Sequence, residues 1–326
     1  SRTDTETIVH LFEERGIECL RALRGMFALA IWDGRARELW LARDRLGKKP
    51  LYYFSDRSRL VFGSEIKCLL AYPGVPRALN ASALPLYLTY GYVPAPDTLF
   101  EGIRMLHPGC RLRVANGGVE EREYWSPPIL PVGATLASPP TEPEAISALL
   151  DHLREAVRLR LISDVPLGAF LSGGLDSSAI VALMAEAASG PVKTFAIGFS
   201  SEPSFDETAH ARAVAQHLGT EHHEFIVQPD AVDLVPKLAW HFDQPFGDSS
   251  AIPTYLVSKL AREHVTVALT GDGSDELFAG YDRFRAARLA QRYQRVPQPL
   301  HRALAALARR WPQSTGYADI GRRALR

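Results

Sequence analysis

A glycine-rich turn between an apolar run and a helical pattern is the feature that most constrains the fold of this chain. Residues 167–171 form an apolar run typical of a buried strand, and residues 179–188 carry apolar side chains at helical spacing. Glycines in such a turn let successive backbone N–H groups converge, and the helix start adds a partial positive charge. The pattern predicts an anion site, formed by the turn Ser172-Gly173-Gly174-Leu175-Asp176-Ser177-Ser178, whose serine hydroxyls can donate to phosphate oxygens.

Asp176 indicates that the anion is a polyphosphate held together with a cation. A carboxylate beside phosphate oxygens is repulsive unless a cation lies between them, and Mg²⁺ is the expected one. The lysine of a Walker-type loop and the Gly-x-Gly-x-x-Gly pattern of dinucleotide loops are both absent from the turn. A serine-rich cap of the following helix is the structural alternative. The turn resembles the pyrophosphate loop of the ATP pyrophosphatase-like enzymes, which cleave ATP to AMP and pyrophosphate.

A second glycine turn, rich in acids, ends another predicted strand at residues 265–270. It reads Thr270-Gly271-Asp272-Gly273-Ser274-Asp275-Glu276. Ligands of open parallel sheets bind beyond the carboxyl ends of the strands, so we expect both turns at one crevice, where Asp176 and Asp275 hold Mg²⁺. The oxygen-ligand run and terminal glutamate of a calcium loop are missing, and an acidic cap of the next helix is the structural alternative.

Strand and helix patterns alternate over residues 144–326, which predicts a parallel sheet covered on both faces. We expect strands at 167–171, 192–199, 224–227 and 265–270, and helices at 144–162, 179–188, 204–218, 232–242 and 251–263. Residues 1–125 indicate an α+β region, with a helix at 5–15 and hairpin strands at 27–32, 39–42, 51–54 and 60–63. Residues 126–143 carry six prolines and are the expected linker.

Composition points to an ordinary globular protein without a membrane partner. Hydrophobic residues make up 46% and charged residues 23% of the chain, and no apolar run is long enough to span a bilayer. Three cysteines are scattered without metal spacing, and no signal peptide is visible, which predicts a cytoplasmic location. Residues 281–326 contain eleven arginines, but no nucleic-acid motif accompanies them, so we expect no nucleic-acid partner.

Both turns, with several further stretches, resemble the glutamine-hydrolysing asparagine synthetase family. The additional motifs are Thr194-Phe195-Ala196-Ile197-Gly198-Phe199, Ile252-Pro253-Thr254-Tyr255-Leu256 and Glu276-Leu277-Phe278-Ala279-Gly280-Tyr281. Residues 1–125 resemble the rear part of a class II glutamine amidotransferase domain through Asp4-Thr5-Glu6, Gly25-Met26-Phe27-Ala28, Gly63-Ser64-Glu65-Ile66-Lys67 and the stretch at 43–53. The likeness covers nearly the whole chain. It implies an α/β fold with a parallel-sheet, ATP pyrophosphatase-like (PP-loop) synthetase domain at 144–326, preceded by an α+β domain of the N-terminal nucleophile hydrolase type at 1–125.

The resemblance also implies a carbon–nitrogen ligase of asparagine biosynthesis. The expected reaction is amidation of aspartate to asparagine, dependent on ATP and glutamine, through an aspartyl-adenylate with release of AMP and pyrophosphate. ATP and Mg²⁺ are the expected cofactors, and ATP, aspartate and glutamine the expected small-molecule partners. The implied nucleotide-binding residues are Phe170, Leu171, Ser172, Gly173, Gly174, Asp176, Ser177, Ser178, Ile197, Thr270 and Gly271.

Four acidic residues receive further roles from the same likeness. Asp176 and Asp275 would act in catalysis through the metal, and Asp272 would orient or deprotonate ammonia. A purely structural role is the alternative for Asp272. Asp4 would hold the amino group of glutamine, and its alternative role as a helix N-cap can coexist with that one.

The first residue departs from the family pattern. Class II glutaminases use an N-terminal cysteine whose own α-amino group acts as the base, whereas Ser1 stands here. We therefore expect this chain to be part of a longer protein and, by itself, not to hydrolyse glutamine. The synthetase domain of the family carries an adenylation lysine beyond the equivalent of Arg326, so we do not expect synthesis by these 326 residues alone.

Three rival functions share the same loops. A same-fold amidotransferase, such as a β-lactam-forming or polysaccharide-cluster enzyme, would use a carboxylate acceptor other than aspartate. A tRNA-modifying enzyme would share the serine–glycine loop but lack the amidotransferase region. A non-catalytic ATP-binding remnant would keep the loops without turnover. A homodimer is the oligomeric state that we consider.

Overall fold

The computed structural model describes residues 3–128, 139–199, 206–227 and 231–294. The chain folds into two compact units, Ser1–Pro139 with Pro229–Tyr255, and Pro140–Gln228 with Leu256–Arg326. Residues 229–255 therefore belong to the first unit, although the stretches before and after them in the chain belong to the second. The domain boundaries at 125 and 144 stay a prediction, and residues 129–138 of the expected linker lie outside the described residues.

The first unit begins with a helix and contains most of the antiparallel strands. Its elements before residue 125 are α1 (Asp4–Arg15), β1 (Ala28–Asp33), β2 (Glu38–Arg43), β3 (Tyr52–Ser55), β4 (Leu60–Gly63), α2 (Ile66–Leu70), α3 (Leu84–Tyr90), β5 (Ile103–Met105), β6 (Cys110–Ala115) and β7 (Gly118–Glu123). The elements that follow along the chain are α4 (Glu142–Arg160), β8 (Leu167–Phe170), α5 (Leu175–Ala187), β9 (Lys193–Phe199), α6 (Thr208–Leu218), β10 (Glu221–Val227), α7 (Ala231–Phe242), α8 (Ala251–Ala261), β11 (Val267–Leu269), α9 (Ser274–Phe278) and α10 (Asp282–Gln294).

Two antiparallel sheets form the centre of the first unit, in the orders β1-β2-β6-β7 and β4-β3-β5. Strand β3 contributes to two hydrophobic clusters because successive side chains of a strand point to opposite faces. Tyr53 packs with Leu41 and Leu112, whereas Tyr52 and Phe54 pack in the cluster that contains Ile66. These strands place the first unit in the α+β class that the sequence predicts.

One four-stranded parallel sheet, in the order β10-β9-β8-β11, forms the centre of the second unit. Helices α4, α5 and α6 cover one face through a cluster that contains Val157, Val181 and Ala211. Helix α8 contributes Val257 and Ala261 to a cluster around Phe195. Since neighbouring residues of β9 alternate between these clusters, both faces of the sheet are buried, as the apolar strands predict.

Several elements begin earlier than their sequence patterns predict. Helix α5 starts at Leu175 rather than at residue 179, so the end of the glycine turn forms the first helical turn. Helix α4 starts at Glu142 because Thr141 serves as the N-cap, where its backbone N–H donates to Glu144 Oε2 at 2.8 Å. Strand β10 starts at Glu221, where the parallel pairing with Lys193 begins. In each case backbone pairing or capping extends the element beyond its apolar pattern.

The expected helix at 204–218 also differs at its start. Helix α6 begins at Thr208 with Glu207 as the N-cap residue, and the residues before Asp206 lie outside the described residues. No helix in the described ranges is both long and apolar enough to cross a bilayer. Most of the arginine-rich segment lies beyond residue 294 and outside the described residues.

Candidate functional site

A tight turn joins β8 to α5 in the second unit. Gly173 has a φ of +81°, a left-handed backbone conformation that favours glycine. A Cβ atom at this position would lie 2.5 Å from the carbonyl carbon of His210 and 2.6 Å from the backbone nitrogen of Ala211. The turn therefore packs directly on the backbone of α6, and glycine is required there for both conformation and space.

Two serine hydroxyls hold this turn in shape. The Oγ atoms of Ser172 and Ser177 lie 2.9 Å apart, and the Ser172 backbone N–H donates to Ser177 Oγ at 3.2 Å. The Gly174 N–H donates to Ser172 Oγ at 3.2 Å. In contrast, the Oγ atom of Ser178 is buried and has no hydrogen-bond partner in the described part of the chain. Since a buried polar group without a partner is costly, Ser178 is a candidate donor to a bound ligand, and its role there stays a prediction.

The N-terminus of α5 lies at the same place. Gly174 is the N-cap residue and makes no side-chain capping bond to the first turn. The leading residue Leu175 is 86% exposed, so the helix start is open to solvent on the side of Leu175. Backbone N–H groups at a helix start carry a partial positive charge and favour anions.

The acidic turn follows β11 and is organised by Thr270. The Thr270 hydroxyl donates to Asp272 Oδ2 at 2.9 Å, and the Asp272 backbone N–H donates to Thr270 Oγ1 at 3.3 Å. Asp275 lies in the first turn of α9, with its Oδ1 atom against Gly280, where a Cβ atom would overlap it. The local backbone thus fixes the positions of both carboxylates.

Gly271 brings the two turns into contact. A Cβ atom on Gly271 would lie 2.8 Å from the backbone nitrogen of Ser177 and 3.1 Å from the Cβ of Asp176. The pairing of Leu269 with Ala169 explains this approach, because it ends the two parallel strands side by side. The polyphosphate-type turn and the acidic turn therefore form one site at the carboxyl edge of the sheet.

The donor set suits a magnesium ion that arrives with a polyphosphate. Asp176 and Asp275 are half-buried carboxylates, the ligand type that Mg²⁺ prefers. No group of three or more His, Cys, Asp or Glu side chains in the described ranges is arranged to hold a metal ion. Mg²⁺ is commonly held by one or two carboxylates together with substrate phosphates, so the chemistry of the two aspartates suits such a complex.

A hydrogen bond between Tyr281 and Glu276, which the sequence patterns did not predict, stabilises the end of the acidic turn. The Tyr281 hydroxyl donates to Glu276 Oε1 at 2.6 Å and thereby lowers the pKa of the Glu276 carboxyl. The Arg283 guanidinium lies 4.1 Å from the centre of the Tyr281 ring. Glu276 and Tyr281 both stand in the family motif, but nothing in their spacing indicates that they bond to each other.

The residues expected beside adenine are mostly core residues. Leu171 is buried, and its backbone N–H donates to Phe195 O at 2.9 Å. Phe170 and Ile197 pack partly buried against the cluster around Phe195 and Val257. Their roles toward a nucleotide stay a prediction.

Asp4 belongs to the first unit, whereas the two turns belong to the second. It is exposed in the first turn of α1, and its Oδ1 atom accepts from the Thr5 backbone N–H at 2.8 Å. Its interpretation as the helix N-cap is wrong, because Thr3 occupies that position and accepts from Glu6 N–H at 3.3 Å. The carboxylate of Asp4 remains open to solvent on one side, and its role toward glutamine stays a prediction.

Comparison with known families assigns both regions of the chain. The family model described as asparagine synthase matches residues 148–324, and a model described as glutamine amidotransferase domain matches residues 1–125. The chain belongs to the asparagine synthase family. The predicted family resemblance and α/β synthetase fold are therefore confirmed.

Curated relatives share both regions. A putative glutamine-hydrolysing asparagine synthetase of Methanocaldococcus jannaschii is 38% identical over 86% of this chain and 54% of its own length. Asparagine synthetase 1 of Bacillus subtilis is 35% identical over 95% of this chain and 48% of its own. The amidase chyE of Penicillium rubens is 32% identical over 89% of this chain and 44% of its own. The chain thus spans about half the length of the curated relatives it matches.

Proposed function

We propose that the full-length protein amidates aspartate to asparagine in the cytoplasm, with ATP as the activating nucleotide and glutamine as the nitrogen donor. The observation that carries the proposal is the contact of Gly271 with the backbone of Asp176 and Ser177. This contact joins a polyphosphate-type turn to an acidic turn at one sheet edge. The membership of the chain in the asparagine synthase family supports the same reaction class.

The residues of the first turn would hold the pyrophosphate portion of ATP. Gly174 makes no side-chain capping bond to the first turn of α5, and the Ser178 hydroxyl has no hydrogen-bond partner among the described residues. Donors fixed at the place where charge develops stabilise a leaving group without reorganisation. Mg²⁺ bound by Asp176 and Asp275 would neutralise charge on the pyrophosphate.

The chemistry follows as two displacements. The side-chain carboxylate of aspartate attacks the α-phosphorus of ATP, which forms a carboxylate–phosphorus bond and releases pyrophosphate. Ammonia then attacks the acyl carbon of the aspartyl-adenylate and displaces AMP, with loss of one proton. Asp272 is exposed beside this site and is oriented by Thr270, so we assign it to ordering or deprotonating ammonia. Asp4 would bind the glutamine amino group in the amidotransferase region.

Isotope exchange between ATP and pyrophosphate tests the nucleotide half of this proposal. In the full-length protein, we expect Asp176→Asn and Asp275→Asn each to abolish aspartate-dependent exchange, because each removes one carboxylate of the proposed metal pair. Asp151→Asn is a matched control, since Asp151 has a side chain that is 72% exposed on α4. Unchanged exchange in Asp176→Asn would refute the assignment of this carboxylate.

A second candidate keeps the same chemistry but changes the acceptor carboxylate. The likeness to the Penicillium rubens amidase at 32% identity favours considering it. Exchange measured with a panel of carboxylic acids, followed by mass spectrometry of the amide product, separates the candidates. Exchange that depends on another acid and is absent with aspartate would replace asparagine synthesis as the proposed function.

A further inference from the structure

The segment 240–247 lies within the family match to asparagine synthase but is part of the first compact unit. Pro229–Tyr255 stand between β10 and β11, two strands of the parallel sheet, and form one unit with Ser1–Pro139. The chain therefore leaves the second unit after β10 and returns to it before β11. Strand β11 is the strand that leads directly into the acidic turn.

An ion pair anchors this segment. Lys67 Nζ lies 2.9 Å from Asp243 Oδ1, and the Lys67 backbone N–H donates to Asp243 Oδ2 at 3.3 Å. The side chains of Lys67 and Asp243 are 19% and 8% exposed, so water screens the pair weakly. Asp243 therefore holds the segment through two contacts to Lys67, one to its ammonium group and one to its backbone N–H.

Backbone conformation adds to the anchoring. Asp243 has a φ of +63°, in the left-handed region that non-glycine residues seldom adopt. Such a conformation persists where surrounding contacts determine it. The Trp240 ring centre lies 5.3 Å from Lys67 Nζ, so the same lysine contacts the end of α7 as well.

Two further contacts hold the segment at separate places in the amidotransferase region. The Leu99 backbone N–H donates to Gln244 Oε1 at 3.2 Å, and the Gly247 N–H donates to Gly91 O at 2.7 Å. A Cβ atom on Gly247 would lie 3.1 Å from Gly91 Cα, so the two backbones touch. The attachment therefore uses the start of α2, the end of α3 and the chain before β5.

We propose that residues 240–247, held by the Lys67–Asp243 ion pair, couple glutamine hydrolysis to amide formation. The inference rests on the proposed function. The segment is fixed by contacts to the amidotransferase region and continues through α8 and β11 to the acidic turn that carries Asp272 and Asp275. The residue that pairs with Lys67 is thus joined through the polypeptide chain itself to the acidic turn. Lys67 and Asp243 are positioning residues, since their effect passes through this segment.

The sharpest variant is Asp243→Asn in the full-length protein. Asparagine keeps the side-chain shape and tolerates the left-handed backbone, so only the charge is lost. Glu65→Gln is the matched control, because Glu65 Oε2 also lies 2.9 Å from Lys67 Nζ but belongs to the amidotransferase region itself. Each variant therefore removes one of the two carboxylate charges that lie beside Lys67 Nζ.

Two nitrogen donors separate coupling from simple support of the fold. We expect Asp243→Asn to lower the rate of glutamine-dependent amide formation about tenfold. The rate with ammonium chloride should stay within about twofold of the wild-type rate, because only the coupling between the two sites is lost. The glutamate released per amide formed rises in this variant and stays at the wild-type value in Glu65→Gln. Equal losses with both donors, or equal effects in both variants, would overturn the proposal.

Hydrogen exchange of the backbone amides at 240–247 gives a readout independent of turnover. We expect faster exchange in Asp243→Asn than in Glu65→Gln, because only the former releases the segment. Unchanged exchange in Asp243→Asn overturns the anchoring role. If the wild-type protein amidates aspartate with neither glutamine nor ammonium chloride, the proposed function itself is wrong, and this outcome is distinct from the ones above.

Discussion

Gly271 packs against Ser177 so closely that a Cβ atom on the glycine would lie 2.8 Å from the serine backbone nitrogen. This distance is shorter than Cβ atoms tolerate, and the opposing atom is backbone, so neither side can move cheaply. The two turns of the proposed nucleotide site therefore depend on the absence of one side chain. That dependence can be tested directly.

Gly271→Ala should separate the two turns. We expect the substitution to cost about 1–3 kcal/mol of unfolding free energy, because it inserts a methyl group into a closed backbone contact. Nucleotide exchange should fall by about tenfold or more, since displaced groups no longer meet the reacting atoms. Gly190→Ala is the control, because a Cβ there would meet no heavy atom of the described structure within 4 Å. Wild-type exchange in Gly271→Ala would contradict this account.

Ser178→Ala should weaken ATP binding without weakening the fold. Its buried Oγ atom has no partner among the described residues, so removing it should leave stability unchanged or raise it by about 1 kcal/mol. The same change removes a donor to the ligand and should raise the Kd for ATP about tenfold. Calorimetric titration and thermal unfolding measure the two effects.

Ser177→Ala provides the contrast for that experiment. The Ser177 hydroxyl pairs with Ser172 Oγ and donates to Gly174 O at 3.3 Å, so its removal should destabilise the protein by about 1 kcal/mol. If Ser178→Ala were destabilised as much as Ser177→Ala, the unpaired hydroxyl would have a structural partner after all. Our assignment of Ser178 to the ligand would then be wrong.

Asp44→Ala should destabilise the first unit strongly. Asp44 is 2% exposed, and its carboxylate accepts from four backbone N–H groups, those of Phe27, Leu46, Lys48 and Lys49. Leaving these donors unpaired should cost about 3 kcal/mol or more, measured by urea unfolding. Asp33→Ala is the control, because Asp33 accepts from the backbone N–H groups of Arg35 and Ala36 in an exposed turn. A cost of about 1 kcal/mol or less for both variants would contradict the prediction.

The three cysteines should differ in reactivity toward iodoacetamide at pH 8. Cys68 is exposed, whereas Cys19 and Cys110 are buried. Burial raises the pKa of the Cys19 thiol, and burial beside Glu121 and Glu123 raises the pKa of Cys110 to about 11. Because the thiolate is the reactive form, a raised pKa leaves less of it at pH 8. Mass spectrometry should find label on Cys68 first and on the other two only after unfolding or at much higher pH.

Rapid labelling of Cys110 at pH 8 in the folded protein would contradict that order. In urea all three thiols should react at similar rates, which serves as the control for intrinsic reactivity. The comparison therefore reports burial and pKa rather than the local sequence around each cysteine.

Long periodic patterns and the two glycine turns were readable from the sequence. The apolar runs at β8 and β9 and the helical spacing of α4 and α5 depend on burial of one face, which leaves a periodic signal. Short elements such as α2, α3 and β5 span only a few residues each and leave too little periodicity to be recognised. Helix starts were displaced because caps such as Thr141 act through hydrogen bonds rather than through apolar spacing.

Residue types and spacing by themselves determined the strand–turn–helix geometry, the anion-binding character of residues 172–178 and the acidic chemistry of residues 270–276. Those properties follow from local conformation and from the chemistry of each side chain. Only the tertiary structure decided that Gly271 touches Ser177, that Ser178 lacks a partner while Ser172 and Ser177 pair, and that Asp243 bonds to Lys67. These relationships join residues far apart in the chain, and strand order and packing set their distances, which local sequence patterns do not encode.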